Sequence, residues 1–432
     1  MSPMTDEARS FARRIGSLVD RSPGPVHAVL TVVDQLEAAG FEALDETVAW
    51  HRPPPERWYV EREGAVVAGV LGSADADAGY RIIGAHTDSP TLAVKPRPDI
   101  GAAGFRQLGV EVYGGALLNS WLDRDLGLSG RVVVLDGDRV RSVPVLEDRP
   151  VLRIPQLAIH LDQDIRERGL KLDRQLHMAP VWGLGDPVEG DLRAHLATLI
   201  DVSPDDVASW DLVLHDTTPA TLAGQDDDFL VSGRLDDLCS VFCAVEALTD
   251  RLELDEPLRH HPVLCFFDHE EVGSVSAAGA AGELLPGLLR RVAAAGGIEP
   301  DEHAAALRRS VCISADMAHA THPNYADRHE PGHPIRCNDG PVIKVNANQR
   351  YATDAVGAAE VIRACRSAEV PYQEFVSRSD LPCGSTIGPV TSGRLGVATV
   401  DAGIAQLGMH SCREMAGALD PLLFSRMLTA FF

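Results

Sequence analysis

One stretch constrains this chain more than any other. Val263-Leu264-Cys265-Phe266-Phe267 is an unbroken apolar run, followed by Asp268-His269-Glu270-Glu271-Val272-Gly273-Ser274. A short continuous apolar run reads as a central strand covered on both faces, as in a parallel sheet flanked by helices. In open α/β sheets, ligands bind outside the carboxyl ends of the strands. Glu270 and Glu271 therefore stand where chemistry is expected. One carboxylate of such a pair can hold a metal ion while its neighbour handles a proton. An isolated Glu-Glu pair is also an ordinary solvated turn, so the other strand ends have to decide.

They carry the same kinds of group. Tyr80-Arg81-Ile82-Ile83-Gly84-Ala85 reads as a strand and runs into His86, with Asp88 two residues on. A carboxylate so placed can fix the tautomer of a ligating imidazole. Ser310-Val311-Cys312-Ile313-Ser314-Ala315 is a second buried strand and ends in Asp316, with His319 and His322 as further candidates beyond it. Asp236 and Asp237 open a helix whose apolar face is Leu238, Val241, Phe242, Val245 and Leu248; a capping role is the plain alternative for either. The strand Gly396-Val397-Ala398-Thr399-Val400, read as the last, leads through Asp401 to His410. His86, Asp88, Asp236, Glu270, Glu271, Asp316 and His410 thus form a set of histidines and carboxylates that suits Zn²⁺, Mn²⁺ or Co²⁺ and not a thiolate site. So many carboxylates call for two divalent ions about 3.5–4 Å apart. The His-Glu-x-x-His zinc pattern fails, because Gly273 stands where its second His belongs. Gly384-Ser385-Thr386-Ile387-Gly388 is neither a nucleophile elbow nor a phosphate loop.

The rest of the chain supplies the frame. Helical spacing predicts helices over 6–20 and 25–39, the second stopped by Ala39-Gly40. Short strands follow around 58–60 and 65–71, and a loop over 72–79. From 92 to 231 short apolar segments alternate with turns, including a hairpin signal at Asp136-Gly137. The acidic stretch 224–228 reads as an exit linker. A helical stretch is expected over 282–309, a strand at 341–345 containing Lys344, a helix over 357–369 and a helical tail. At 432 residues the chain exceeds one ordinary core. The expectation is an α/β protein: a three-layer α/β/α catalytic domain with a central mixed sheet, formed by 1–91 and 232–432 and interrupted by an inserted β-rich domain over 92–231.

Charge narrows the function. With 39 basic against 63 acidic residues the formal charge is −24, which argues against nucleic acid. An acidic substrate would need local cations against that field. No apolar run approaches the ~18–20 residues that span a bilayer, and no secretory apolar region follows Met1. The eight cysteines are scattered without a Cys-x-x-Cys pair, several in apolar runs, and are expected to be reduced thiols in a cytoplasmic protein.

The ordered segments Ala85-His86-Thr87-Asp88-Ser89-Pro90, Trp121-Leu122-Asp123-Arg124-Asp125-Leu126, Arg153-Ile154-Pro155-Gln156, Arg234-Leu235-Asp236, Glu270-Glu271-Val272-Gly273-Ser274, Ser314-Ala315-Asp316-Met317, Lys344-Val345-Asn346 and Met409-His410-Ser411 carry a resemblance. The chain is similar, over nearly its whole length, to the aspartyl aminopeptidase family of dinuclear-zinc exopeptidases. The resemblance implies Asp236 bridging two ions, His86 and Asp316 completing one, and Glu271 and His410 the other. It implies Glu270 as unbound general base and Asp88 as the group orienting His86. It implies Lys344 and Tyr351 binding substrate, and His160 of the inserted domain reaching a neighbouring subunit's site. It also implies that the insertion is a dimerisation domain and that the chain forms a homo-oligomer, a tetrahedral dodecamer built from dimers. The expected activity is removal of an N-terminal Asp or Glu from peptides. A neutral-peptide or N-acyl substrate on the same site, or a catalytically silent self-assembling scaffold, are the alternatives. Asp237 departs from the family, which often has Asn there; it either adds to metal binding or faces solvent.

Overall fold

The computed structural model describes residues 4–72 and 78–432. Part of the expected loop over 72–79 thus lies outside the described residues. The chain divides into two compact units. One comprises the chain up to Asp88 together with Ala220–Met409 and Glu414–Phe432; the other comprises Ser89–Pro219 and His410–Arg413.

The first unit is built on a nine-stranded mixed sheet. Its order is Glu42–Ala43, Arg57–Arg62, Ala65–Val70, His261–Phe267, Tyr80–His86, Val311–Ala315, Ala398–Gly403, Val342–Val345 and Gln373–Val376. His261–Phe267, Tyr80–His86, Val311–Ala315 and Ala398–Gly403 run parallel at its centre, with His86 level with Phe267. Alternate residues of one strand enter different cores. Leu264 and Phe266 join the cluster formed with helices Asp6–Asp20, Pro25–Ala38, Leu235–Glu253, Ala355–Ser367 and Asp420–Phe431. Val263, Cys265 and Phe267 join the cluster formed with Leu284–Ala295 and Ile387. This is the physical meaning of the unbroken apolar run: both faces are covered. Local signals set the helix ends. The Thr5 hydroxyl accepts the Ala8 N–H at 3.1 Å, and Gly40 at φ +81° follows the second helix.

A five-stranded sheet in the same unit was not foreseen. Its order is Thr221–Ala223, Phe229–Ser232, Glu414–Gly417, Ala405–Leu407 and Ala318–His319. Strands of two to four residues are too short to show a period. Residues 224–228, expected as an exit linker, instead join the first two of these strands, with Ala223 opposite Phe229. Likewise Ala398–Gly403 is not the last strand. The helical stretch over 282–309 is two helices, Leu284–Ala295 and Pro300–Arg308, separated at Gly297 with φ +78°.

The second unit holds a six-stranded antiparallel sheet ordered Arg139–Leu152, Leu126–Asp136, Val207–Asp216, Thr91–Ala102, Phe105–Tyr113 and Val181–Leu184. The Asp-Gly signal closes its longest hairpin: Asp136 faces Arg139 and Gly137 takes φ +62°. Helix Asp191–Leu199 contributes Leu192 and Leu196 to this unit's core.

Candidate metal centre

The parallel strands of the first unit end in polar groups held by backbone geometry. After Phe267 the chain passes His269 at φ +64° into a single 3-10 turn, Glu270–Val272, and leaves through Gly273 at φ +103°. The sharp reversal presents both glutamates beside the strand end. The Glu270 and Glu271 N–H groups donate to the two oxygens of Asp88, each at 3.0 Å. Asp88 therefore clamps the glutamate turn, a task beyond the expected one of orienting His86.

His86 is the last residue of its strand and is buried. Its Nδ1 lies 3.0 Å from the Asp88 carbonyl and 3.5 Å from Asp88 Oδ1. A carbonyl only accepts, so Nδ1 carries the proton and Nε2 is left to a ligand. Nε2 faces Asp236 Oδ1 at 3.4 Å.

Asp236 and Asp237 follow Arg234, at φ +57°, and neither is helical although the helix is assigned from Leu235. The peptide between them is cis. The Asp236 N–H donates to Glu414 Oε2 at 3.0 Å. Asp237 is 0% exposed, which removes the expectation that it faces solvent. Its Oδ2 accepts the His86 N–H at 3.2 Å, so it serves the neighbouring strand end.

Within the first unit, two trios of described residues have one ligand atom each within 4.8 Å of the others: His86, Glu270 and Glu271, and His86, Asp236 and Asp237. The electrostatics of this crowd call for cations. Burial, reinforced by Asp316, Asp88 and Asp236, pushes the Glu270 carboxyl up to about 7 against the pull of His86. Burial, reinforced by Asp316 and Asp236, holds Asp237 well above the usual range. Burial alone would lower His86, but the carboxylates of Asp236 and Asp88 outweigh it and raise the imidazole.

Asp316 follows the strand Val311–Ala315, and its N–H donates to the Ala402 carbonyl at 3.2 Å. It falls in neither trio, although its charge acts on Glu270 and Asp237. Its Oδ1 accepts from Lys344 Nζ at 3.0 Å.

A family profile described as aminopeptidase I zinc metalloprotease (M18) matches residues 18–432. The chain belongs to the M18 family of zinc metalloaminopeptidases. This M18 chain is 50% identical over 429 residues to a probable M18 family aminopeptidase 2 of Streptomyces coelicolor, covering 99% of this chain and 97% of that protein. Among solved structures it is similar to a chain in the cryo-EM structure of the Ape4 and Nbr1 complex. There the TM-score is 0.95 with 39% identity, over 100% of this chain and 87% of that one. The S. cerevisiae mApe1 dodecamer matches with TM-score 0.85 and 28% identity, over 99% of this chain and 97% of that one.

The donor set of this metalloaminopeptidase fits zinc. An imidazole and several carboxylates gather, and neither trio contains a thiolate. All eight cysteines are free thiols, and Cys239, Cys243, Cys265 and Cys312 are buried. His319 and His322 join no candidate metal group among the described residues. Lys344 is 2% exposed and also donates to the Met317 carbonyl at 3.0 Å. Its Nζ stands 5.1 Å from the ring centre of the buried Tyr351. Burial would lower the Lys344 ammonium, but Asp316 and Asp401 outweigh that and keep it charged. In the second unit, His160 is exposed in a turn, and the His410 carbonyl accepts the Leu117 N–H at 3.0 Å.

Three contributors escaped the sequence reading: the clamp at Asp88, the Glu414 carboxylate behind Asp236, and Asp401. Asp401 is fully buried and accepts the Thr386 hydroxyl at 2.5 Å and the Ala352 N–H at 2.6 Å. The available signal was a carboxylate inside the otherwise apolar run Val400-Asp401-Ala402.

Proposed function

We propose that this M18 metalloaminopeptidase removes acidic residues from peptide N-termini, with His86, Asp236, Glu271, Asp316 and His410 as ligands of two zinc ions. Asp236 would be shared between the ions. Bound there, the ions would supply the Lewis acidity that makes a water nucleophilic near neutral pH. Glu270 takes the proton of the attacking water and returns it to the leaving amine. A carboxyl raised to about 7 is suited to both transfers. Asp88 keeps Glu270 and Glu271 in register by holding both N–H groups. Asp237, buried against His86, supports the first ligand. The inserted unit serves as a dimerisation domain, and a dodecamer, the assembly named for mApe1, is the proposed oligomer. His160 of one subunit would then approach the site of another.

The observation that carries the acidic preference is Lys344. An ammonium has three donors. Two are engaged, by Asp316 and by the Met317 carbonyl. The third, beside Tyr351, has no hydrogen-bond partner among the described residues and would meet a substrate carboxylate. The same contacts favour a second reading: Lys344 only steadies Asp316, and the substrate residue is neutral.

One experiment separates them. Aspartyl, glutamyl and leucyl amides are compared on the zinc-loaded enzyme and its Lys344→Met variant, with and without chelator. The acidic reading expects aspartyl kcat/KM at least about tenfold above leucyl, a preference lost in the variant, and no activity after chelation. Equal or better leucyl turnover, with both substrates lost together in the variant, would establish the neutral reading.

A further inference from the structure

The helix pair Leu284–Ala295 and Pro300–Arg308, with the end of helix Ile387–Leu395, encloses a cleft of about 430 Å³ in the first unit. That volume lies in the range that holds small organic ligands. Its walls are largely apolar, formed by residues such as Ala293, Ile298, Leu307 and Leu395. Its polar side chains are Arg290, Arg394 and His303, and no carboxylate lines it. On a chain with 63 acidic and 39 basic residues, such a lining is unusual.

The three nitrogen groups are not equivalent. Arg290 and Arg394 both bind Glu283, Arg290 at 2.6 Å, so two guanidiniums share one carboxylate and a positive charge remains at the rim. His303 is buried, and its Nδ1 lies 3.4 Å from the Tyr80 hydroxyl. Its Nε2 is buried with no hydrogen-bond partner among the described residues. A buried polar nitrogen without a partner costs stability unless something else satisfies it. If the Tyr80 hydroxyl donates to Nδ1, Nε2 carries a proton and needs an acceptor. Burial and the nearby Arg290 charge both lower the imidazole, so it stays neutral and adds a donor.

We infer that this cleft is a binding site for an apolar monocarboxylate that lacks an ammonium group, its body against the apolar walls and its carboxylate facing the Arg290 and Arg394 guanidiniums beside Glu283, with His303 alongside. No carboxylate lines the walls, and the Glu283 carboxylate at the rim is already shared by two guanidiniums, so little is left to pair with an α-ammonium. Free amino acids, the products of an aminopeptidase, are therefore disfavoured, and short fatty, aryl or 2-oxo acids are the matching class.

The test is calorimetric titration of the full-length zinc-loaded protein with 4-phenylbutyrate, 4-phenylbutyramide and phenylalanine. The same titrations are run on the Arg290→Gln/Arg394→Gln double variant and on Ala293→Trp, which fills the cleft. The site predicts that the acid binds about tenfold or more tighter than its amide, as charge-assisted pairing to guanidinium requires, and that phenylalanine does not bind. In the double variant the acid and amide should become equal, and in Ala293→Trp both should be lost. Equal binding of acid and amide to the unaltered protein would overturn the proposal. So would acid binding that persists unchanged in the double variant, since that would place the acid at the metal centre. The double substitution is confined to exposed side chains, so its result stands even if Ala293→Trp fails to fold.

Discussion

Two buried histidines of the first unit titrate in opposite directions. His27, on helix Pro25–Ala38, is pushed down to about 4 by burial, and its Nδ1 has no partner among the described residues. His86, at the carboxyl end of its strand, is raised because the carboxylates of Asp236 and Asp88 outweigh the same penalty. The difference lies in the company. Under the helices the fold buries neutral groups. At the strand ends it gathers like charges, which are tolerated only where cations share the space.

The largest effect that would break this contrast is at Glu270. Glu270→Gln should lower kcat by about 10²–10⁴-fold with zinc content unchanged, because it removes a proton carrier and no ligand. Near-normal turnover would show that the raised carboxyl has no catalytic use.

Next is the neutral histidine. With His27 near 4 folded and 6.5 unfolded, the unfolded chain takes up the proton first as pH falls. The contribution is fully present above about 6.5 and is lost as pH drops toward about 4, by at most about 3 kcal/mol. Denaturant unfolding of the native protein and of His27→Leu at pH 7 and 4.5 measures this. The variant should lose less stability between the two pH values, and parallel losses would place His27 in a solvated setting.

Asp88→Asn sharpens the other side. Asn offers one acceptor where Asp offers two, so one of the Glu270 and Glu271 N–H groups loses its partner. Zinc affinity, read by competition with a chelator, should fall about 10–100-fold, the usual consequence of altering a group that orients ligands.

The smallest effect is expected at Asp237. Burial holds its carboxyl above the usual range, and Asp237→Asn keeps an acceptor for the His86 N–H. It should change zinc affinity by less than about threefold and stability by under about 1 kcal/mol. A tenfold loss of zinc would instead make Asp237 a charged ligand.

The clustering of His86, Asp236, Glu270 and Glu271 was legible in advance because strand ends leave a strong mark. One strand ends at His86, another two residues before His269-Glu270 and a third just before Asp316, and polar groups at such places have few purposes. The helix Leu235–Glu253 was equally plain, since Leu238, Val241, Phe242, Val245 and Leu248 recur at its period and are all buried. The short strands Ala405–Leu407 and Glu414–Gly417 were not legible, nor was the pairing around residues 224–228. The pairings of Ala223 with Phe229 and of Leu407 with Met415 are local, but strands of three or four residues are too short to show a period.

The residue order alone determined the α/β class and the donor types, since these follow from periodicity and from which groups stand beside which strands; its ordered motifs carried the resemblance to its relatives. Tertiary structure decided how the charges are spent. It committed Lys344 to Asp316, turned Asp88 toward two backbone N–H groups and buried Asp237 against His86. Each of these is a contact between residues at least 28 positions apart in the chain. Only the folded chain brings such groups within hydrogen-bonding distance, and at that distance burial and neighbouring charge, not residue type, set what a carboxylate does.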